Sequence, residues 1–174
     1  MTARRERLVS SLSEYAAYHT HPGNKAVHVV AVPLLLWSLF VILSSVAGER
    51  AAFALWAAYT LLFVSLEPVA GVGAALCYFC LLAHAQSFAE QDLSGPSPVA
   101  VAGLVHAASW LVQVGLGHGV FERRKPALLD SLVPSLALAP LFVLLEVAFA
   151  VGYAPELARL VHAAAAVKRQ RWQR

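Results

Sequence analysis

Charged residues are scarce in this sequence, and they are unevenly distributed. Asp, Glu, Lys and Arg together make up 13% of the chain, compared with roughly 25% in soluble domains. No lysine or arginine occurs between Arg50 and Arg123, and residues 26–48 carry no charge of either sign. Because so few charges leave little polar surface for water, the sequence predicts an integral membrane protein and disfavours a soluble helical bundle.

Cysteine is rare as well. The two cysteines, Cys77 and Cys80, form a single CxxC motif inside an apolar run. A disulfide framework needs several cysteines, and a lone CxxC in apolar surroundings is weak evidence for a reactive pair. We therefore interpret both as packing residues.

The formal net charge of +3 does not indicate a nucleic-acid partner. The basic residues fall mainly in three groups, at residues 4–7, 123–125 and 168–174, and each group adjoins an apolar segment. Basic residues in such positions contact lipid headgroups and set the orientation of a membrane protein. The predicted partner is therefore membrane lipid, with no nucleic acid.

Five apolar runs approach or exceed the ~20 residues that a helix needs to cross a bilayer. They cover about residues 26–47, 51–66, 69–89, 99–120 and 131–152. Pro134, Pro140 and Glu146 interrupt the last run, which allows a kinked or re-entrant segment in place of a full crossing. The predicted fold is an all-α, polytopic membrane bundle of four to five spans, forming one domain over residues 1–174.

Amphipathic helices are predicted at both ends of the chain. The first covers residues 1–18 and is expected to lie at the membrane interface. One of its faces is apolar at helical spacing: Leu8, Leu12, Tyr15 and Ala16. The second covers residues 155–174 and ends in a basic segment.

The basic groups also predict which ends of the spans share a membrane face. With four spans, residues 4–7 and 123–125 both lie on the cytoplasmic side. The basic segment 168–174 opposes a fifth crossing, so four and five spans both stay open.

Histidines form two clusters. In the first, His19 and His28 flank the helix-breaking residues Pro22-Gly23-Asn24, so the two rings need not point apart as they would on one straight helix. Neutral imidazole is a good ligand for iron, zinc or copper. Asn24, the only asparagine in the chain, either caps the first span or belongs to the site.

The second cluster lies towards the end of the fourth span. One helix face carries residues at 4-3-4 spacing: His106, Trp110, Gln113 and Gly117. His118 and Glu122 are four apart on a neighbouring face, where a carboxylate can bind the same metal or orient the histidine ring. A straight helix separates His106 from His118 by more than about 10 Å. Whether His106 or His84 joins the site therefore stays open.

The topology brings the two clusters together. His19 precedes the first span, His28 opens it and His118 closes the fourth, and these ends share a membrane face. Ionisable residues inside a membrane are costly enough that function is the default interpretation. The sequence therefore predicts a metal site near the cytoplasmic interface.

An ordered set of short motifs resembles the fungal 2-hydroxy-fatty-acid dioxygenase family and its plant and bacterial relatives. The similarity extends over about residues 15–157. Its elements are Tyr18-His19 with Asn24 and His28, Leu66-Glu67-Pro68, Trp110-Leu-Val-Gln113, Gly117-His118-Gly-Val-Phe-Glu122, Pro126-Ala127-Leu128, Asp130-Ser131-Leu132 and Ala139-Pro140-Leu141-Phe142.

The resemblance implies an iron(II)-dependent α-oxidation that consumes O2. A long-chain 2-hydroxy fatty acid from sphingoid-base breakdown becomes the fatty acid one carbon shorter, in the endoplasmic reticulum membrane of a eukaryote or the inner membrane of a bacterium. The metal ligands implied for this chain are His19, His28, His106 and His118. The residues expected to assist catalysis are Glu122, Gln113 and Asn24.

Two charged residues after the fourth span are candidates for substrate binding. Arg123 and Lys125 follow Glu122 closely enough to attract a carboxylate, although they also fit the role of topology anchors.

Two alternative functions stay open. One is a membrane haem or other metal-binding protein, in which His84 and His106 would be the natural haem ligands. The other is a non-enzymatic, lipid-binding scaffold.

Overall fold

The computed structural model describes residues 3–172. Every regular element in this range is helical. The elements, in chain order, are α1 (Ala3–Tyr18), α2 (Pro22–Ala47), α3 (Glu49–Leu66), α4 (Pro68–Ala89), α5 (Pro98–Val112), a π-helical segment (Gln113–Glu122), a short 3-10 turn (Ala127–Leu129), α6 (Leu132–Ala150) and α7 (Pro155–Trp172). Met1, Thr2, Gln173 and Arg174, which the sequence analysis included in the terminal helices, lie outside the described residues.

Proline and glycine mark the helix boundaries. Four helices begin at a proline, where the missing N–H removes no helical hydrogen bond: α2, α4, α5 and α7. Gly48 separates α2 from α3 with φ of 85°, a left-handed conformation that favours glycine. Glu67 caps α4 by accepting a hydrogen bond from the backbone N–H of Ala70.

Within residues 3–172, five helical segments are long and apolar enough to cross a membrane. They are α2, α3, α4, the combined segment of α5 and the π helix (Pro98–Glu122), and α6. Their apolar side chains include strongly exposed ones, such as Leu61 and Leu111, each 73% exposed, as expected for a surface that faces lipid. The predicted all-α membrane bundle is confirmed, and α2 begins at Pro22, four residues before the start of the predicted first span.

The chain forms two compact units. The first comprises residues 1–29 and 113–174, and the second comprises residues 30–112. The assignment of the whole chain to one domain stays a prediction.

In the second unit, α3 and α4 form a tightly packed hairpin around Gly71. A Cβ atom at this position would lie 2.5 Å from the backbone nitrogen of Val64. Only glycine permits so close an approach, which is the usual way for helices to associate in a membrane.

In the first unit, α1 packs against α6 and α7. The apolar face predicted for α1 is confirmed, because Leu8, Leu12 and Ala16 are all at most 3% exposed. Lys168 of α7 bonds the carboxylate of Glu14 at 2.6 Å, which ties the two terminal helices together. The position of α1 at the membrane interface stays a prediction.

Candidate metal centre

Three buried histidines meet in the first unit. His19, His28 and His118 are 2%, 5% and 3% exposed, and one possible ligand atom from each lies within 4.8 Å of the others. The ring centroids of His19 and His118 are 4.9 Å apart, and those of His28 and His118 are 5.2 Å apart. The two sequence clusters thus come together as predicted from topology.

Backbone carbonyls determine which ring nitrogens face the centre of the cluster. His19 Nδ1 lies 2.8 Å from the carbonyl oxygen of Tyr15, and His28 Nδ1 lies 3.0 Å from that of Asn24. A carbonyl can only accept, so Nδ1 carries the proton in both rings and each Nε2 presents a lone pair. This arrangement is common among histidines that bind metals.

The two lone pairs face each other across 3.3 Å, the distance between His19 Nε2 and His28 Nε2. Neither nitrogen can donate to the other, so the pair is unfavourable without a cation between them. Two imidazole nitrogens bound to one ion at about 2.1 Å each lie about 3 to 3.5 Å apart. The spacing therefore fits a shared metal ion.

Electrostatics at His19 point the same way. This ring lies between α1 and α2, and burial holds its pKa well below the ordinary value, with a further contribution from His28. The ring is therefore neutral at pH 7 and free to act as a ligand.

His118 supplies the third ring from the π-helical segment. Its Nδ1 is buried and has no hydrogen-bond partner among the described residues. An unsatisfied buried polar atom costs about 1–3 kcal/mol, so it calls for an explanation such as a bound ion. π-Helical turns are frequent at functional sites, and together these features fit a histidine-bound metal.

Gly117 allows the π segment to pack closely against the start of α2. A Cβ atom there would lie 2.5 Å from Asn24 Oδ1 and 3.2 Å from His28 Cε1. Glycine therefore allows the segment that carries His118 to approach the start of α2. Asn24 is fully buried, and its Oδ1 has no partner among the described residues.

Glu122 holds the loop between His19 and His28. Its carboxylate accepts hydrogen bonds from the backbone N–H groups of Thr20 at 3.1 Å and His21 at 2.9 Å, and from Asn24 Nδ2 at 3.2 Å. The hydroxyl of Thr20 donates to the same carboxylate at 2.5 Å. Four donors on one side chain make Glu122 a positioning residue for the loop. Thr20 was not predicted as a site residue, because no spacing rule connects it with a residue 102 positions away.

His106 lies outside the group of three. It belongs to the second unit, where Trp110 Nε1 donates to its Nε2 at 3.2 Å and Ser38 Oγ lies 2.9 Å from its Nδ1. His84, in the same unit, accepts a hydrogen bond from Trp37 at 2.9 Å. The implied set of four ligands is thus represented in the cluster by three histidines.

The other predicted site residues occupy different positions. Gln113 is buried at the start of the π segment. Arg123 is exposed with φ of 52°. Lys125 forms an ion pair at 2.6 Å with Asp130, which also accepts a hydrogen bond from the hydroxyl of Tyr18 at 2.6 Å. The predicted substrate contacts of Arg123 and Lys125 stay a prediction.

Comparison with known proteins identifies the family of this chain. A family model described as "2-hydroxy-palmitic acid dioxygenase Mpo1-like" matches residues 6–151. The chain is 33% identical over 159 residues to the 2-hydroxy-palmitic acid dioxygenase MPO1 of Saccharomyces cerevisiae, and the match covers 86% of this chain and 84% of the yeast protein. No solved structure matches the chain. The protein therefore belongs to the 2-hydroxy-palmitic acid dioxygenase Mpo1-like family.

Proposed function

We propose that the protein is an iron(II)-dependent membrane dioxygenase that converts a long-chain 2-hydroxy fatty acid into the fatty acid one carbon shorter. The observation that carries this proposal is the 3.3 Å separation of His19 Nε2 and His28 Nε2, which face each other beside His118. The yeast relative, named as a 2-hydroxy-palmitic acid dioxygenase, supports the substrate class.

The donor set and the reaction together favour iron. Three neutral imidazoles suit iron, zinc and copper alike. Zinc has no redox chemistry, so a dioxygenase needs a different ion. Ferrous iron, when bound, supplies the electrons that activate O2 and open positions for a hydroxy-carboxylate.

The stoichiometry requires no further reductant. A 2-hydroxy acid, R–CH(OH)–COOH, and one O2 balance as R–COOH, CO2 and H2O. The substrate itself supplies all the electrons that O2 accepts, as the C1–C2 bond breaks and C2 becomes the new carboxyl carbon. No 2-oxo acid is therefore needed as a cosubstrate.

The residues of the chain position the proposed metal ligands and surround the substrate. His19 and His28 hold their Nε2 atoms in place through bonds to backbone carbonyls, and Glu122 fixes the loop between them. Asn24 links that loop to Glu122, and the buried Gln113 lies on the π segment that carries His118. Apolar helices provide an environment for the acyl chain.

The cellular setting is also part of the proposal. The basic groups at residues 4–7 and 123–125 favour a site on the cytoplasmic face. The membrane is the endoplasmic reticulum in a eukaryote or the inner membrane in a bacterium, and the reaction serves the breakdown of fatty acids derived from sphingoid bases.

Metal analysis and product analysis test the proposal. The purified protein should contain about one iron per chain and no haem, and His118→Ala should lose the metal while the helical content is kept. With iron(II) and O2, 2-hydroxypalmitic acid should give pentadecanoic acid by mass spectrometry, whereas palmitic acid, which lacks the second oxygen for chelation, should react poorly.

A matched control separates the site from general damage. His21 is exposed, and its ring accepts a hydrogen bond from the N–H of Gly23 at the start of α2. His21→Asn keeps an acceptor in this capping position, so metal content and turnover should be unchanged. Zinc alone after growth with ample iron, or unchanged 2-hydroxy acid after incubation with iron-loaded protein, would refute the assignment.

A further inference from the structure

A cavity of about 220 Å³ lies beside His19 in the first unit. Its polar wall comes from α7, from the start of α2 and from the loop before it, and consists of His19, Thr20, Lys25, His162 and Arg169. The rest of the wall is formed by three alanines. No acidic side chain among the described residues lines this space.

We propose that this cavity binds the carboxylate of the 2-hydroxy acid, with Arg169 as the main anchor. The proposal rests on the function proposed above, and it assigns the substrate head group to a different place from Arg123 and Lys125. It is carried by the hydrogen bonds and ion pairs around the cavity.

Arg169 is a cation without a carboxylate partner among the described residues. Among the described residues, it makes one hydrogen bond, from Nη1 to the hydroxyl oxygen of Thr20. A guanidinium has five N–H donors, so most of its donors stay available at the cavity wall. The planar guanidinium can bind both oxygens of a carboxylate at once.

The position of the guanidinium is set by a chain of hydrogen bonds. Arg169 donates to Thr20, and the Thr20 hydroxyl donates its own proton to Glu122. The Thr20 oxygen is thereby oriented as an acceptor for Arg169. The same carboxylate that positions the histidine loop therefore also positions the proposed anchor.

The second cation of the wall is already compensated. Lys25 forms an ion pair with Glu146 at 2.6 Å, and His162 lies 3.4 Å from the other oxygen of Glu146. Glu146 therefore balances Lys25, whereas Arg169 is linked to the carboxylate of Glu122 only through the hydroxyl of Thr20. Arg169 is thus the cation of the cavity wall that makes no direct ion pair among the described residues.

Location relates the cavity to the reaction. His19 lines the cavity, and its Nε2 lies 3.3 Å from that of His28. A carboxylate held by Arg169 is therefore adjacent to a proposed metal ligand, and the carbon removed in the reaction is the carboxyl carbon. Anchoring this group predicts a requirement for the free acid, so that esters and thioesters of the same acid should bind poorly.

Binding to metal-free protein tests the proposal independently of turnover. The protein, in lipid nanodiscs, is titrated calorimetrically with 2-hydroxyoctanoate, with its methyl ester and with inorganic phosphate, and empty nanodiscs provide the blank. The acid should bind, and the ester should bind at least about tenfold more weakly because charge-assisted hydrogen bonds are lost. Equal binding of acid and ester would overturn the proposal, as would phosphate that competes as well as the acid.

Variants of α7 identify the anchor. Arg169→Gln should weaken binding of the acid at least about tenfold and leave binding of the ester unchanged, whereas Arg169→Lys should give an intermediate value. Arg171→Gln removes an exposed arginine that does not line the cavity and should behave as the wild type. Unchanged affinity in Arg169→Gln would overturn the proposal.

A second variant keeps Arg169 and its bond to Thr20. Ala166 is exposed, lines the cavity and lies one turn before Arg169. Ala166→Glu should place a carboxylate beside the guanidinium and block the acid. Ala163→Glu, exposed one turn earlier and outside the cavity wall, is the control and should bind normally. Equal affinities of these two variants would count against the site.

The two proposals fail in different ways. Binding of the acid that depends on Arg169, with no shortened product from iron-loaded protein, would remove the proposed reaction and keep the carboxylate site. Formation of the shortened product with the same KM in the wild type and in Arg169→Gln would keep the reaction and remove the carboxylate site.

Discussion

Gly117→Ala is expected to damage the histidine cluster without touching a histidine. The added methyl group would lie 2.5 Å from Asn24 Oδ1, well inside van der Waals contact, and 3.2 Å from His28 Cε1. Asn24 cannot move away freely, because its Nδ2 bonds Glu122 and its carbonyl accepts from His28. The strain must therefore be relieved by a shift between the π segment and the start of α2.

The size of the effect follows from this overlap. Overpacking by one methyl group in a well-packed core costs about 1–3 kcal/mol. If the strain falls on the metal-bound state, the affinity for iron decreases by about 5-fold to 150-fold, since each 1.4 kcal/mol is a factor of ten. Competition with a chromophoric chelator under anaerobic conditions measures this affinity, and thermal unfolding in detergent measures stability.

Gly115→Ala is the matched control. Gly115 lies two residues earlier in the same π segment, and a Cβ atom there meets nothing within 4 Å. Alanine is favoured over glycine in helices by up to about 1 kcal/mol, so this variant should be as stable as the wild type or slightly more so. Equal iron affinity and equal melting temperature in the two variants would refute the packing argument.

Two further predictions concern charged groups. Glu122→Gln leaves a single side-chain oxygen for the donors of Thr20, His21 and Asn24. We therefore expect metal affinity or activity to fall by about 10-fold to 100-fold while most of the metal stays bound. Complete loss of the metal would show that Glu122 is a ligand, and full activity would show that it is only a surface charge. Lys125 and Tyr18 hold the pKa of Asp130 below its ordinary value, so its stabilising effect is fully present above the unfolded-state pKa of about 3.9 and is lost as the pH falls from there through the lower folded-state pKa. The melting temperatures of the wild type and Asp130→Asn should therefore differ more at pH 7 than in acid, and a difference that stays constant as the pH is lowered would contradict this account.

The spans and the meeting of the two histidine clusters could be predicted because both depend on one-dimensional patterns. Apolar runs determine which segments cross a membrane, and basic groups indicate which ends share a face. These two rules were enough to bring His19 and His28 together with His118.

The local geometry around His118 could not be predicted in the same way. Helical spacing assumes 3.6 residues per turn, whereas residues 113–122 form a wider π helix. The 4-3-4 face that joined His106 to Gly117 therefore ends where the π segment begins. His106 then has hydrogen-bonding partners of its own, Ser38 and Trp110.

The proposed anion site depends on tertiary packing that no short-range pattern encodes. Thr20 and Arg169 are 149 residues apart and meet because α7 packs against α1. In the sequence, Arg169 is one of several basic residues near the C-terminus, a pattern typical of residues that contact lipid headgroups. Its bond to Thr20 is visible only in three dimensions.

The bond between Asn24 and Glu122 joins two points of the chain that are 98 residues apart. The proposed ligands His28 and His118 lie at nearly the same two points, and the whole second unit is inserted in the sequence between them. A metal ion held at this place acts as a reversible cross-link, which removes the entropy of a long open loop from the unfolded chain. It also forms late in biosynthesis, because a growing chain shorter than 118 residues offers only two of the three imidazoles. Supply of the proposed metal would then control how much of the newly made protein gains this cross-link, and the metal-free protein should be cut by proteases between residues 19 and 28 sooner than the metal-bound protein.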